Sequence, residues 1–326
     1  MEKIRVGICG YGNLGKGVES EISKSKDMEL IGIFTRRNPE NLEINSGVPV
    51  ISINDAEKWM SKIDVMIMCG GSATDLPKQV PEMVKMYNTV DSFDTHAKIP
   101  EYFENVSKSA KSNNRTAVIC GGWDPGMFSV MRTYADAFLQ KGSTYTFWGK
   151  GVSQGHSDAI RRVEGVKNAV QYTIPSEEAM SRVRNGENPE LTTAEKHLRE
   201  CFVVLEDGAD SAKIENEIKT MPSYFEDYNT VVHFISEEEL KKNHGKMMHG
   251  GFVIHTAETG ENDKQVVEYS LKLDSNPEFT ASVLIAIARA TYRMNKEGMY
   301  GAKTMLDIPP AWMSPKTEEE LRKELL

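Results

Sequence analysis

The chain has 326 residues, 39% hydrophobic and 27% charged, an ordinary globular composition whose length suits about two domains of roughly 100–200 residues. Thirty-nine Lys and Arg against 48 Asp and Glu leave a net charge of −9, which repels polyphosphate and anionic lipid and argues against nucleic acid or a membrane as partner. No apolar run approaches the ~20 residues of a membrane span, and the opening MEKIRVGICGYG lacks the basic-then-apolar pattern of a secretory signal. Cys9, Cys69, Cys120 and Cys201 form no C-x-x-C pair, and three of them lie in apolar strand-like runs. Buried reduced thiols in a cytoplasmic setting are expected, not disulfides or zinc ligands.

In chain order, Ile4–Cys9, Leu30–Phe34, Val48–Ile53, Val65–Cys69, Thr89–Val90 and Ala117–Cys120 read as strands. Helical patterns lie between them: one opening near Asn13, one over Asp75–Tyr87 that Pro81 should bend or interrupt, and one over Pro100–Ser112. Strands separated by helices imply parallel pairing, hence a doubly wound sheet over the first third. After Gly121 the texture changes. Tyr145–Trp148, Phe202–Leu205, Thr230–Ile235, Phe252–Thr256 and Gln265–Leu273 read as strands of a mostly antiparallel sheet, with a polar turn at Thr259–Asp263. Helices are expected at Met127–Gln140, Ser211–Thr220 and Phe279–Asn295; the last has Val283, Leu284, Ile287 and Ala290 at the spacing of a buried face, able to pack on either domain. Lys316–Lys323 reads as a solvated terminal helix.

Gly10-Tyr11-Gly12-Asn13-Leu14-Gly15 is a G-x-G-x-x-G directly after an apolar strand and opening a helix. Such glycines permit a tight turn, close approach to a pyrophosphate, and close helix–strand packing, while the helix N-terminus offers free N–H groups. Dinucleotide binding follows. About twenty residues further on, where an NAD enzyme carries an acidic residue for the ribose, stand Thr35, Arg36 and Arg37. Two guanidiniums suit a 2′-phosphate, so NADP is preferred over NAD.

Ligands of an open parallel sheet sit beyond the carboxyl ends of its strands. The strand-end segments are Cys69-Gly70-Gly71-Ser72, Asp91-Ser92-Phe93-Asp94 and Gly121-Gly122-Trp123-Asp124-Pro125-Gly126. Asp94 and Asp124 at adjacent strand ends suit a cationic substrate group, since paired carboxylates orient an ammonium and accept its proton. The remaining signals are weaker. His244 and His249 fit no H-E-x-x-H pattern, so no metal is expected. Lys150–His156 has the composition of an anion-contacting loop or of an ordinary turn, and Arg199 by itself reads as a surface arginine. No G-x-S-x-G elbow is present.

Taken together, Gly10–Gly15, Thr35–Arg37, the string Gly121–Ser129 and the string Gly151–Ala159 resemble the meso-diaminopimelate dehydrogenase family. The likeness runs along essentially the whole chain and includes Phe147–Gly149, Ala169–Thr173, Cys201–Val204 and His249–Gly251. It implies an α/β fold with an N-terminal Rossmann-type doubly wound parallel sheet and a second α+β substrate and dimerisation domain. Residues 1–120, completed by 275–326, would bind the dinucleotide, and 121–274 the substrate. It implies a homodimer and NADP-dependent reversible oxidative deamination of the D-centre of meso-2,6-diaminopimelate to L-2-amino-6-oxopimelate and ammonia.

Carried over by position, the implied cofactor contacts are Tyr11, Gly12, Asn13, Leu14, Thr35, Arg36, Arg37, Cys69, Gly70, Gly71, Ser72, Ser92, Phe93, Asp94, Gly121, Gly122, Trp123, Asp124 and Pro125. The implied substrate contacts are Asp94, Asp124, Trp148, Gln154, Gly155, Thr173, Arg199, His249 and Asn276. Arg199 and His249 thereby become a clamp for the distal carboxylate, with Thr173 as a neutral donor. Asp94 would orient the amine or take its proton, and Asp124 would support it or place water. One departure stands out: Met248 occupies the place of an expected proline, so the His249 loop should be less rigid. Two rivals remain, a non-catalytic NADP(H) sensor and a reductase of the dihydrodipicolinate-reductase type, whose histidine–lysine helix motif is missing.

Overall fold

The computed structural model describes residues 3–326, which divide into two compact units: the segment up to Val130 together with Pro277–Leu326, and Met131–Asn276. The division falls inside helices, at Val130 and Asn276, and not at the change of texture near Gly121.

The first unit opens with β1 (Ile4–Cys9), α1 (Asn13–Ile22), β2 (Met28–Thr35), β3 (Val50–Ser52), β4 (Val65–Met68), α2 (Leu76–Met83), β5 (Asn88–Asp91), α3 (Ile99–Ser112), β6 (Thr116–Val118) and α4 (Met127–Phe138), which continues into the second unit. Because successive strand residues face opposite sides, Val65 and Ile67 of β4 join one core with Val18 and Ile22 of α1. Met66 and Met68 join another, with Leu76 and Val80 of α2 and Tyr102 and Val106 of α3. Both faces are covered, as a parallel sheet requires. Pro77 sits in the first turn of α2 as expected, but Pro81 does not end it: the helix runs through Pro81 to Met83.

The second unit holds β7 (Gly142–Trp148), β8 (Gly151–Val152), α5 (Gln154–Arg161), β9 (Val166–Pro175), α6 (Glu177–Arg184), α7 (Thr193–Lys196), β10 (His197–Leu205), α8 (Ser211–Lys219), β11 (Asn229–Phe234), α9 (Glu237–Asn243), β12 (His249–Thr259) and β13 (Asp263–Leu273). Its strands form two sheets, β11-β10-β9-β8 and β13-β12-β7. The three-stranded sheet is antiparallel, as expected. In the four-stranded sheet β10 and β11 run parallel, because α8 carries the chain back between them.

The chain then returns to the first unit through α10 (Asn276–Lys296) and β14 (Gly301–Lys303), followed by α11 (Pro310–Met313) and α12 (Glu318–Leu325). β14 extends the parallel sheet to seven strands, in the order β14-β6-β5-β4-β1-β2-β3. The expected apolar stripe of α10 packs in the first unit's core with Val6, Ile8 and Val18. Helix α12 is exposed and starts in a capping box of Thr317 and Glu320. All four cysteines are free and buried. Among the described residues no helix is long and apolar enough to cross a membrane.

Candidate functional site

In the first unit the three fingerprint glycines do three different things. Gly10 has φ +98, a conformation side chains rarely adopt. A Cβ at Gly15 would lie 2.3 Å from the Gly10 carbonyl oxygen, so only glycine lets α1 approach β1 this closely. At Gly12, which caps α1 without a side-chain hydrogen bond, a Cβ would meet no atom within 4 Å. That open space at the N-terminus of α1 suits a pyrophosphate.

The fingerprint borders a cleft of about 340 Å³ lined by Cys9–Gly12, Phe34–Arg37, Ile53, Cys69–Gly71, Asp75 and Gln79. Arg36 and Arg37 project from the end of β2. An Arg36 nitrogen lies 2.7 Å from an Asp75 oxygen, and Arg37 donates to the Tyr11 carbonyl at 2.5 Å. The Thr35 hydroxyl accepts the Arg37 backbone N–H at 3.1 Å. Asp75, the N-cap of α2, and Gln79 within it also line the cleft, and no sequence pattern singles them out. A second cavity of about 320 Å³, lined among others by Tyr11, Gly12, Asn13, Lys16 and Arg37, adjoins it. A turn open to a diphosphate beside two arginines fits a 2′-phosphorylated dinucleotide.

The other strand-end segments are joined to this edge. Asp94 is exposed, and its backbone N–H donates to the Ser72 hydroxyl at 3.0 Å. The Gly121 N–H donates to the Asp91 carbonyl at 2.7 Å. Trp123 is buried edge-on against Phe128, so its ring belongs to the packing of this segment.

In the second unit the register assembles the other candidates. Arg199 on β10 stands opposite Thr173 on β9, which stands opposite Gly151 on β8. A Cβ at Gly151 would lie 2.5 Å from His249, so the glycine makes room for the histidine. Arg199 donates to the Thr173 hydroxyl and lies over the Tyr228 ring at 3.9 Å. It is 4% exposed, and its Nε lacks a hydrogen-bond partner. Among the described residues no carboxylate pairs with it. Burial lowers its pKa, yet an arginine remains protonated.

The imidazoles near it are neutral. Burial, reinforced by the Arg199 charge, holds His156 and His197 down at about 3, and burial also lowers His249. His249 Nδ1 lies 2.8 Å from the Gly250 nitrogen and 3.1 Å from its carbonyl oxygen. One buried, lasting positive charge among neutral imidazoles is chemically suited to one carboxylate.

Trp148 stacks on His197 at 5.2 Å, and its backbone N–H donates to His197 Nε2 at 2.8 Å. Gln154 donates to the Met247 sulfur at 3.0 Å, and the Asn276 N–H to the Met247 carbonyl at 2.9 Å. Gly155, in the first turn of α5, has open space around its Cα. Beside His249, the Met248 carbonyl accepts the Val152 N–H at 2.9 Å. His244 is engaged elsewhere, stacked on Phe202 and bonded to Tyr172. Tyr228, His197 and Gln171 were not foreseen. The Gln171 amide is fully buried on the same face with neither polar atom partnered.

The diaminopimelic acid dehydrogenase C-terminal domain family matches residues 122–275. The chain is 61% identical over 326 residues to the meso-diaminopimelate D-dehydrogenase of Ureibacillus thermosphaericus, covering 100% of both. It is 47% identical over 321 residues to that of Corynebacterium glutamicum, covering 98% of each. Among solved structures, the C. glutamicum DAP dehydrogenase in complex with DAP shares a TM-score of 0.95 at 46% identity over 100% of both chains. An engineered D-amino acid dehydrogenase bound to NADP+ shares 0.90 at 45% identity, over 99% of this chain and 100% of that one.

Fold, cleft and relatives together define an NADP-dependent amino-acid dehydrogenase. Within that class, the chain belongs to the meso-diaminopimelate D-dehydrogenase family.

Proposed function

We propose that the chain catalyses the NADP-dependent, reversible oxidative deamination of the D-centre of meso-2,6-diaminopimelate, giving L-2-amino-6-oxopimelate and ammonia. The observation that carries this reading is Arg199: a buried guanidinium with no carboxylate partner, bonded to Thr173 and surrounded by neutral imidazoles. Leaving such a charge unpaired costs several kcal/mol, which a substrate carboxylate would recover. A simple D-amino acid offers no second carboxylate for it. Arg199, Thr173 and His249 are assigned to the distal carboxylate, with Trp148, Gln154, Gly155 and Asn276 completing that end of the substrate.

NADP, when bound at the fingerprint and arginines, supplies the hydride acceptor. Asp94 orients the D-centre ammonium and takes one proton from it, because only the free amine can push out the hydride. The imine so formed adds water, Asp124 supports that step, and ammonia leaves as the C=O bond closes. A cytoplasmic homodimer is part of the same reading.

Arg199→Met tests it. The ratio of kcat/KM for meso-diaminopimelate to that for an apolar D-amino acid should fall by about one to two orders of magnitude, as a charge-assisted pair is worth roughly 1.5–3 kcal/mol. NADP affinity should hold. A constant ratio, with both substrates losing equally, would give Arg199 a structural role only.

A further inference from the structure

We propose that Asp91 is a positioning residue that locks together the strand-end loops carrying Asp94 and Asp124. The proposal rests on the functional reading above and adds a residue that touches neither substrate nor cofactor in it.

Asp91 is the last residue of β5 and is 0% exposed. Its Oδ1 accepts the N–H of Phe93 at 2.9 Å and the N–H of Cys120 at 3.2 Å, and its Oδ2 accepts the Tyr102 hydroxyl at 2.7 Å. Its carbonyl accepts the Gly121 N–H. One residue therefore joins the exit of β5 to the exit of β6. The Ser72–Asp94 hydrogen bond extends the connection to the exit of β4.

The geometry around it is demanding. Cys120 has φ +57, which a side-chain-bearing residue adopts rarely, and its N–H is one of those Asp91 receives. A Cβ on Gly121 would lie within 3.0 Å of the Asp91 carbonyl oxygen and of Leu284 and Ile287. Tyr102 packs its ring on Phe93 at 4.2 Å while donating to Asp91, so α3 braces the same loop twice.

Burying a carboxylate is costly, and an apolar residue would fill the space without that cost. Burial does lift the Asp91 pKa to about 6, against the pull of its donors. Asp91 spends its carboxylate on loop amides and one hydroxyl, none of them part of the sheet's ladder. What it secures is the placement of the loops, and displacements near 1 Å in an active site can cost about a hundredfold in rate.

The test compares Asp91→Asn and Tyr102→Phe with the wild type. Asparagine keeps one accepting oxygen but sets an amide against the tyrosine hydroxyl, whereas phenylalanine removes one donor of three. At saturating NADP, kcat for meso-diaminopimelate should fall at least about tenfold in Asp91→Asn and about threefold or more in Tyr102→Phe. The dissociation constant for NADP should rise by a smaller factor than kcat falls, since the fingerprint and arginines are untouched and only the implied contacts at 92–94 and 121–125 are loosened. In the ligand-free protein, amide hydrogen exchange over 92–94 and 120–124 should accelerate in both variants.

A purely stabilising Asp91 would lower Tm and leave kcat of the folded enzyme within about twofold, and that result overturns the proposal. So does unchanged exchange in those segments. If Asp91→Asn does not fold, Tyr102→Phe decides alone. A wild type that forms no NADPH from meso-diaminopimelate refutes the functional reading, and exchange then decides the role of Asp91.

Discussion

Arg36 and Arg37 spend their guanidiniums differently, and this bears on cofactor choice. Arg36 faces the Asp75 carboxylate, while Arg37 gives one N–H to the neutral Tyr11 carbonyl. A 2′-phosphate must share Arg36 with a fixed negative charge, but meets no such rival at Arg37. Replacing both by serine should weaken NADP binding by roughly 2–4 kcal/mol, two charge-assisted interactions discounted for exposure, and change NAD binding little. Arg37→Ser alone should account for more than half. Titration calorimetry with both cofactors checks this, and equal losses for NADP and NAD would remove the arginines from 2′-phosphate recognition. These arginines were legible in the sequence because their meaning depends on distance along one strand–helix–strand unit. Asp75 was not, because it enters the cleft from α2, whose relation to β2 is set by the sheet. Arg199 read as a surface residue for the same reason: its partner Thr173 lies 26 residues away, and only the register of β9 and β10 brings them together.

At the scale of elements, α10 is the C-terminal segment's main contribution to the first unit, and one ion pair pins it. Arg289, 4% exposed, donates to both Asp27 oxygens at 2.5 and 2.9 Å and to the Met313 carbonyl at 2.7 Å. The Arg289 hydrogen bonds hold the Asp27 carboxyl below its usual range. A carboxylate with a depressed folded-state pKa stabilises the fold above its unfolded value of about 3.9, and that contribution disappears as pH falls through the folded value. Arg289→Met should therefore cost roughly 3 kcal/mol near neutrality, with the gap to wild type closing below about pH 4. Denaturant melts across that range check it; a gap independent of pH would mean that lost packing, not charge, is responsible.

The α10 stripe was plain in the sequence, and its home was not, since a periodic apolar face does not name what it covers. In the second unit β9 went unread, because Lys167, Asn168 and Gln171 interrupt the apolar alternation of a strand whose Gln171 is buried all the same. The parallel β10–β11 pair had a visible signal in the helix between them. Short strands and a polar turn nearby pointed to hairpins instead.

At the scale of the whole molecule, the two units divide the chemistry by residue type. In the proposed reading the first supplies backbone N–H groups, arginines and glycine room for a phosphorylated cofactor, together with the carboxylates Asp94 and Asp124. The second holds Arg199, a buried positive charge among neutral rings. The substrate proposed above carries an ammonium that suits the first set and a distal carboxylate that suits the second. The stereochemistry of the two ends should follow the same division, with the D-centre oxidised and the L-centre held. The most direct test is NADPH formation with the meso, LL and DD isomers of diaminopimelate in parallel at equal concentration. Rapid NADPH release from the meso isomer, matched one for one by ammonia, with none from LL and at most slow turnover of DD, is the predicted result. No NADPH from the meso isomer, or equal rates from meso and LL, would contradict it.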